Sequence, residues 1–233
     1  MATKKRRRPS RAKRGGISTT HILIVAGAAI LVFGMLVVLN ANRSQSSVSD
    51  VSYETGITSD GEPYKGSPDA PIQVVEYSDF LCGHCGDFAD ALHALGPDYI
   101  ETGKVQVVFS NYAFLAPESI QAAQAAECAL DQGADKFWLY HDLLFANRGT
   151  GLTAYSKPRL NTYAREIGLD TRAFNDCLDS GKKLAEVESD RAEGQSQGVE
   201  STPTWFLNEQ MIRGALPQSD LRQIFEVQLS QGS

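Results

Sequence analysis

The chain has 233 residues, 42% of them hydrophobic and 21% charged, which suits one sizeable globular domain with attachments and excludes a disordered chain. The net charge of -6 hides a split: residues 1–49 hold nine basic residues and no acidic one, so the other 13 Lys and Arg face all 28 Asp and Glu and the rest of the chain carries about -15. An acidic body cannot neutralise phosphates, so no nucleic-acid partner is expected.

Residues 1–20 are a basic tail containing K-K-R-R-R-P-S-R-A-K-R. Residues 21–41 follow as an expected transmembrane helix, with 18 consecutive residues from Ile22 to Leu39 lacking any charge or strong polar group. At helical rise this length crosses a hydrocarbon core of about 30 Å. Eight basic residues precede it and only Arg43 follows closely, so the positive-inside rule keeps the N-terminus cytoplasmic and places the body outside the cytoplasm, on a single-pass cell-membrane anchor. A cleaved signal peptide is the competing reading, against which stand the length of the apolar run and Leu39 at a position that wants a small residue. Residues 42–65, rich in Ser and Gly with no sustained apolar period, read as a linker.

The body opens with a β-branched apolar run, Ile72–Tyr77, the signal of a buried strand. A helix is predicted from residue 82 to about 101, with Phe88, Ala91, Leu92 and Leu95 at helical spacing and Gly96-Pro97 as a point of interruption or kinking. Val105–Asn111 is a second strand, completing a βαβ pattern. From 117 to about 198 strand signals vanish and helices are predicted near Ser119–Gln132, Asp135–Asn147, Lys157–Ile167, Thr171–Ser180 and Lys183–Gln197. Strands return as a hairpin at Thr204–Asn208 and Gln210–Gly214, and an amphipathic helix covers Gln218–Leu229.

Between the first strand and the first helix stands F-L-C-G-H-C-G-D-F, with Cys82 and Cys85 two residues apart. Three chemistries use such a pair. A closed zinc site needs four ligands, commonly as two close pairs, yet Cys128 and Cys177 stand alone, 43 and 92 residues beyond Cys85, so no metal is expected. A permanent disulfide across so small a ring removes little chain entropy. Redox exchange suits the placement after a strand and at a helix start, where unpaired N–H groups and the macrodipole favour a thiolate on Cys82. Cys85, one turn on, then resolves the mixed disulfide, and His84 as a cation between them stabilises the Cys82 thiolate; otherwise it is a solvated loop histidine.

Three stretches in order, G-S-P-D-A-P-I-Q-V-V-E-Y-S-D-F-L-C-G-H-C, the helical K-F-W-L-Y-H-D-L-L-F and G-V-E-S-T-P-T-W-F-L-N, resemble the DsbA-like thiol–disulfide oxidoreductase family. The resemblance covers about Gly66 to Leu229. It implies an α/β, thioredoxin-like fold over 66–233 with a helical insertion at about 117–198, preceded here by the N-terminal transmembrane helix. It also implies that Pro203 is cis and faces the cysteines, with Thr202 offering backbone groups to an extended substrate. Glu76 would be buried beneath the cysteines and relay a proton to or from Cys85. Cys128 and Cys177 would form a structural disulfide; two free buried thiols are the alternative. Phe80, Leu81, Trp138 and Phe114 are candidates for an apolar surface beside the site. The implied activity is a dithiol oxidase for reduced exported proteins, reoxidised by a membrane partner similar to DsbB or to a vitamin K epoxide reductase-like protein, with no cofactor of its own. A reductase or isomerase of the same fold, or a non-catalytic peptide-binding module, stand as alternatives. The dipeptide Gly83-His84 differs from the Pro-His of the family's strong oxidants, which leaves the redox poise between oxidase and reductase open, while intact Cys82, Cys85 and Thr202-Pro203 argue against the binding module.

Overall fold

A computed structural model describes residues 53–231. The basic tail, the expected anchor and linker residues 42–52 lie outside the described residues, among which no helix is long and apolar enough to cross a membrane. The stretch read as linker is partly folded. Thr55–Ile57 (β1) and Pro63–Lys65 (β2) pair antiparallel from Thr55↔Lys65 to Ile57↔Pro63. Strands of three residues are too short to show a period. The turn between them is closed by Gly61, at φ 101°, whose N–H reaches the Thr58 carbonyl. The D-G dipeptide at 60–61 was the hairpin signal in that stretch.

Ile72–Ser78 (β3) leads through helix α1, Gly83–Tyr99, to Val105–Asn111 (β4), which pairs parallel to β3 from Ile72↔Val105 to Ser78↔Asn111. Pro97 lies inside α1 without ending it. Five helices follow: α2 (Pro117–Leu130), α3 (Ala134–Ala146), α4 (Lys157–Glu166), α5 (Thr171–Ser180) and α6 (Leu184–Ser196). Thr204–Leu207 (β5), Gln210–Arg213 (β6) and α7 (Gln218–Gln231) complete the body. The sheet runs β1-β2-β4-β3-β5-β6, so the two parallel strands are central. This is a thioredoxin-like α/β fold carrying a helical insertion.

Asn208, at φ 54°, turns the last hairpin and ties it to β3: its side-chain carbonyl accepts from Gln73 N–H at 2.9 Å and its own N–H donates to the Gln73 carbonyl at 2.8 Å. That tie sets the register Val74↔Leu207 and Glu76↔Trp205. One face of β3 and β4 carries Ile72, Val74, Val107 and Phe109 into the main core, against Phe88, Leu92, Leu95 and Tyr99 of α1. Phe88 stacks on Trp205 at 5.1 Å between ring centres. Phe80 stacks on Phe109 at 5.2 Å and tilts against Phe145 at 4.9 Å, and Trp138 is equally enclosed. Phe80 and Trp138 are therefore core residues and line no surface; of the four apolar candidates only Phe114 and, in part, Leu81 meet solvent. Rings of this size gain more from closed packing under the helical insertion than from a wet rim.

Cys128 of α2 and Cys177 of α5 are joined by a disulfide, with Cα atoms 5.8 Å apart. Spanning 49 positions, it stabilises the insertion by about 4 kcal/mol on the chain-entropy argument.

Candidate active site

β3 and α1 place the dithiol. The strand ends at Ser78, three residues cross over, and Cys82 caps the N-terminus of α1 with extended φ and ψ of -76° and 118°. Both cysteines are free thiols; Cys82 is half-buried and Cys85 buried, packed into the main core. One helical turn separates them, so the first faces outward and the second inward.

That asymmetry splits their acidities. Cys82 is pulled down to about 5, first by the Cys85 side chain donating to it, then, against the opposing effect of partial burial, by the Thr202 side chain and the backbone N–H groups of Cys85 and His84. Cys85 is pushed far up by burial and by the neighbouring Cys82 thiolate. The dithiol thus holds one thiolate, on the accessible sulfur. His84 takes part through its backbone; its imidazole is 81% exposed and sits 3.5 Å from Asp87.

The Thr202–Pro203 bond is cis and delivers Thr202 to the dithiol, where its carbonyl oxygen lies 3.4 Å from Cys82 Sγ. Glu76 is 1% exposed, on the β3 face that bears the core. Burial raises its carboxyl to about 7, partly offset by Ser78 and Lys65, while the Cys82 charge raises it further. Its Oε1 has no hydrogen-bond partner among the described residues. The structure thus brings Cys82, His84, Cys85, Glu76, Thr202 and Pro203 together, and leaves Cys128 and Cys177 in the helical insertion as a separate pair. Among the described residues no three of His, Cys, Asp and Glu stand close enough to hold a metal ion.

Two residues at the site had not been singled out. Lys65 of β2 is 3% exposed and lies over the Trp138 ring at 4.2 Å, with burial lowering its ammonium while Asp142 and Glu76 oppose that. It falls in the stretch read as linker, and nothing local in the sequence marks it as buried. Asp79, 1% exposed, lies between β3 and Cys82. A short acid between a strand and a helix start commonly accepts from backbone N–H groups two residues on, and that signal was available.

A cavity of about 500 Å³ lies on the other face of the sheet, lined by Gln73, Val75, Tyr77, Ser110 and Phe206. Neither Cys82 nor Cys85 lines it; of the two only Cys82 meets solvent, and that in part.

Comparison with known proteins agrees with this geometry. The sequence profile of the family described as Thioredoxin matches residues 58–226. Disulfide bond formation protein D of Bacillus subtilis is 27% identical over 191 residues, which are 81% of this chain and 85% of that protein. The oxidised crystal structure of BdbD from Bacillus subtilis superposes with a TM-score of 0.68 at 26% identity, over 78% of this chain and all of that one. The Na(+)/H(+) antiporter NhaA 3 of Salinispora tropica is 33% identical over 157 residues, 66% of this chain but only 23% of the antiporter. The likeness is therefore to one part of that transporter.

Proposed function

The chain belongs to the thioredoxin family and is a DsbA-like thiol–disulfide oxidoreductase, and from that premise we propose that it works as a dithiol oxidase on exported proteins. The observation that supports the direction is geometric: Cys82 sits part-exposed at the N-terminus of α1 and Cys85 is buried one turn inside, an arrangement that favours a thiolate on the first and a thiol on the second. A stabilised reduced form makes the disulfide form a stronger oxidant.

A substrate thiolate attacks Cys82 Sγ of the Cys82–Cys85 disulfide. The substrate–Cys82 bond forms, the Cys82–Cys85 bond breaks, and Cys85 leaves with the electron pair. Cys85 then takes a proton, which Glu76 can supply because its carboxyl is still half protonated near pH 7. A second substrate thiolate attacks the substrate sulfur and expels Cys82, a good leaving group because its thiolate is stable. Two electrons pass from the two substrate thiolates to the pair, which ends as a Cys85 thiol carrying the proton from Glu76 and a Cys82 thiolate, the protons of the substrate thiols having gone to water. The Thr202 backbone beside Cys82 offers an extended substrate segment a place to pair.

Residues 21–41 anchor this domain on the outer side of the membrane, a reading supported by the eight basic residues before the span. A membrane protein of DsbB or vitamin K epoxide reductase type restores the disulfide. The test is the reduction potential of the Cys82–Cys85 pair in glutathione buffers. A value toward about -120 mV supports an oxidase, and one near about -270 mV makes the protein a reductase.

A further inference from the structure

The segment that leaves α3 touches both flanks of the dithiol. Ahead of it, the Tyr155 hydroxyl donates to the carbonyl of Phe80, two residues before Cys82, at 2.7 Å. Behind it, the Arg148 side chain lies on Gly86, the residue after Cys85, so closely that a methyl group at 86 would collide with Arg148 Cδ and Nε. The Gly86 N–H donates to the Cys82 carbonyl at 3.2 Å. Arg148 therefore rests on the first turn of the helix that Cys82 caps.

Three oxygens fix its guanidinium. Nη1 donates to the Phe145 carbonyl at 2.9 Å, near the end of α3. Nη2 donates to Asp90 Oδ2 at 2.7 Å and to Asp87 Oδ1 at 3.3 Å. The other Asp87 oxygen lies 3.5 Å from His84 Nδ1. Both carboxylates are more than half exposed, and ion pairs this wet add little to stability. Their consequence is electrostatic. Asp87 and Asp90 follow Cys82 by five and eight residues on one helix, and uncompensated negative charge there disfavours a thiolate on Cys82. Arg148 is a permanent cation, whereas His84 carries charge only when protonated.

We propose that Arg148 is a positioning residue for the exchange reaction, seated on Gly86 so that its guanidinium offsets the Asp87 and Asp90 carboxylates at the Cys82 end of α1 and raises the reduction potential of the Cys82–Cys85 pair. The inference rests on the oxidoreductase reading above. Glycine at 86 makes the seat: a side chain there lifts Arg148 off the helix and leaves every charge in the chain.

The test is the potential of the Cys82–Cys85 pair in the full chain, equilibrated in glutathione buffers at low salt and read by thiol labelling of Cys82. R148Q is expected to shift the equilibrium about fivefold toward the disulfide, which lowers the potential by about 20 mV. R148K keeps the charge and is expected to recover most of that shift. G86A is expected to lower the potential with all charges retained. The triple variant D87N/D90N/R148Q, which loses the acids together with the cation, is expected to return to the wild-type value or above it. An unchanged potential in R148Q overturns the proposal. A triple variant as low as R148Q overturns it too, because the shift would then come from distortion and not from charge. Should R148Q not fold, G86A decides, since alanine suits a helix interior, and an unchanged potential there overturns the proposal equally. The wild-type value by itself decides between oxidase and reductase, whereas this inference is read only from the differences between variants. A wild-type pair that does not exchange with glutathione defeats the oxidoreductase reading and this inference with it.

Discussion

The molecule holds two pairs of cysteines, and the same side chain does opposite things in them. Cys82 and Cys85 lie at the start of one helix, free, one outward and one buried. Cys128 and Cys177 lie on two helices, both buried, and are bonded. The first pair is surrounded by groups that favour charge on one sulfur: backbone N–H groups at a helix start, Thr202, and the thiol of its partner. Beside the second pair stands Asp131, whose carboxylate is already taken by Lys182 at 2.7 Å and Lys183 at 2.9 Å. Surroundings, rather than the thiol, decide whether a disulfide is exchanged or kept.

Breaking the first pair has the largest expected effect. Cys82→Ser removes the attacked sulfur, and exchange with a reduced peptide is expected to fall by about a thousandfold or more. Peptide oxidation at the wild-type rate in that variant would mean that Cys82 is not the attacked sulfur.

Breaking the second pair is expected to change stability and spare chemistry. Cys128→Ser with Cys177→Ser loses about 4 kcal/mol, which lowers Tm by about 10 °C in a domain of this size. Calorimetry beside the peptide-oxidation assay at 25 °C checks both halves. A large loss of oxidation with Tm intact would join the two pairs functionally and undo the contrast.

Glu76 sharpens the contrast, because it is a buried carboxyl close to the first pair, whereas Asp131 beside the second is partly exposed and ion-paired. Its carboxyl is charged only above about 7, so it donates a proton to the leaving Cys85 below that pH and accepts one above it. Glu76→Gln is expected to slow the release of Cys85 by about tenfold at pH 6, and to remove the pH dependence near 7. Stopped-flow fluorescence of the mixed-disulfide step reports it.

The same carboxyl has a smaller effect on stability. Its folded value lies above its unfolded one, so its contribution is fully present below about 4.5 and is lost as pH rises through about 7. Glu76→Gln should therefore flatten the fall in Tm between pH 5 and pH 7. Glu62 and Glu127, raised to about 9 and about 8 chiefly by burial, keep the fall above pH 7. An unaltered slope between pH 5 and 7 would place Glu76 in contact with water.

Much of this was legible in order along the chain. Period and β-branching marked β3, β4 and the helices of the insertion, because each element must turn one face to the core. The C-G-H-C spacing between a strand and a helix marked the dithiol, because helix geometry alone puts Cys82 at the terminus and Cys85 one turn inward. What the sequence could not determine rests on contacts across large separations. Lys65 is buried because β2 pairs with β4, and no local pattern encodes a partner more than 40 residues away. The joining of Asp79 to Phe114 and Leu115 and the enclosure of Phe80 and Trp138 were decided the same way. Burial and acidity belong to the environment a side chain meets after the chain has closed, and that environment is assembled from residues far apart in sequence.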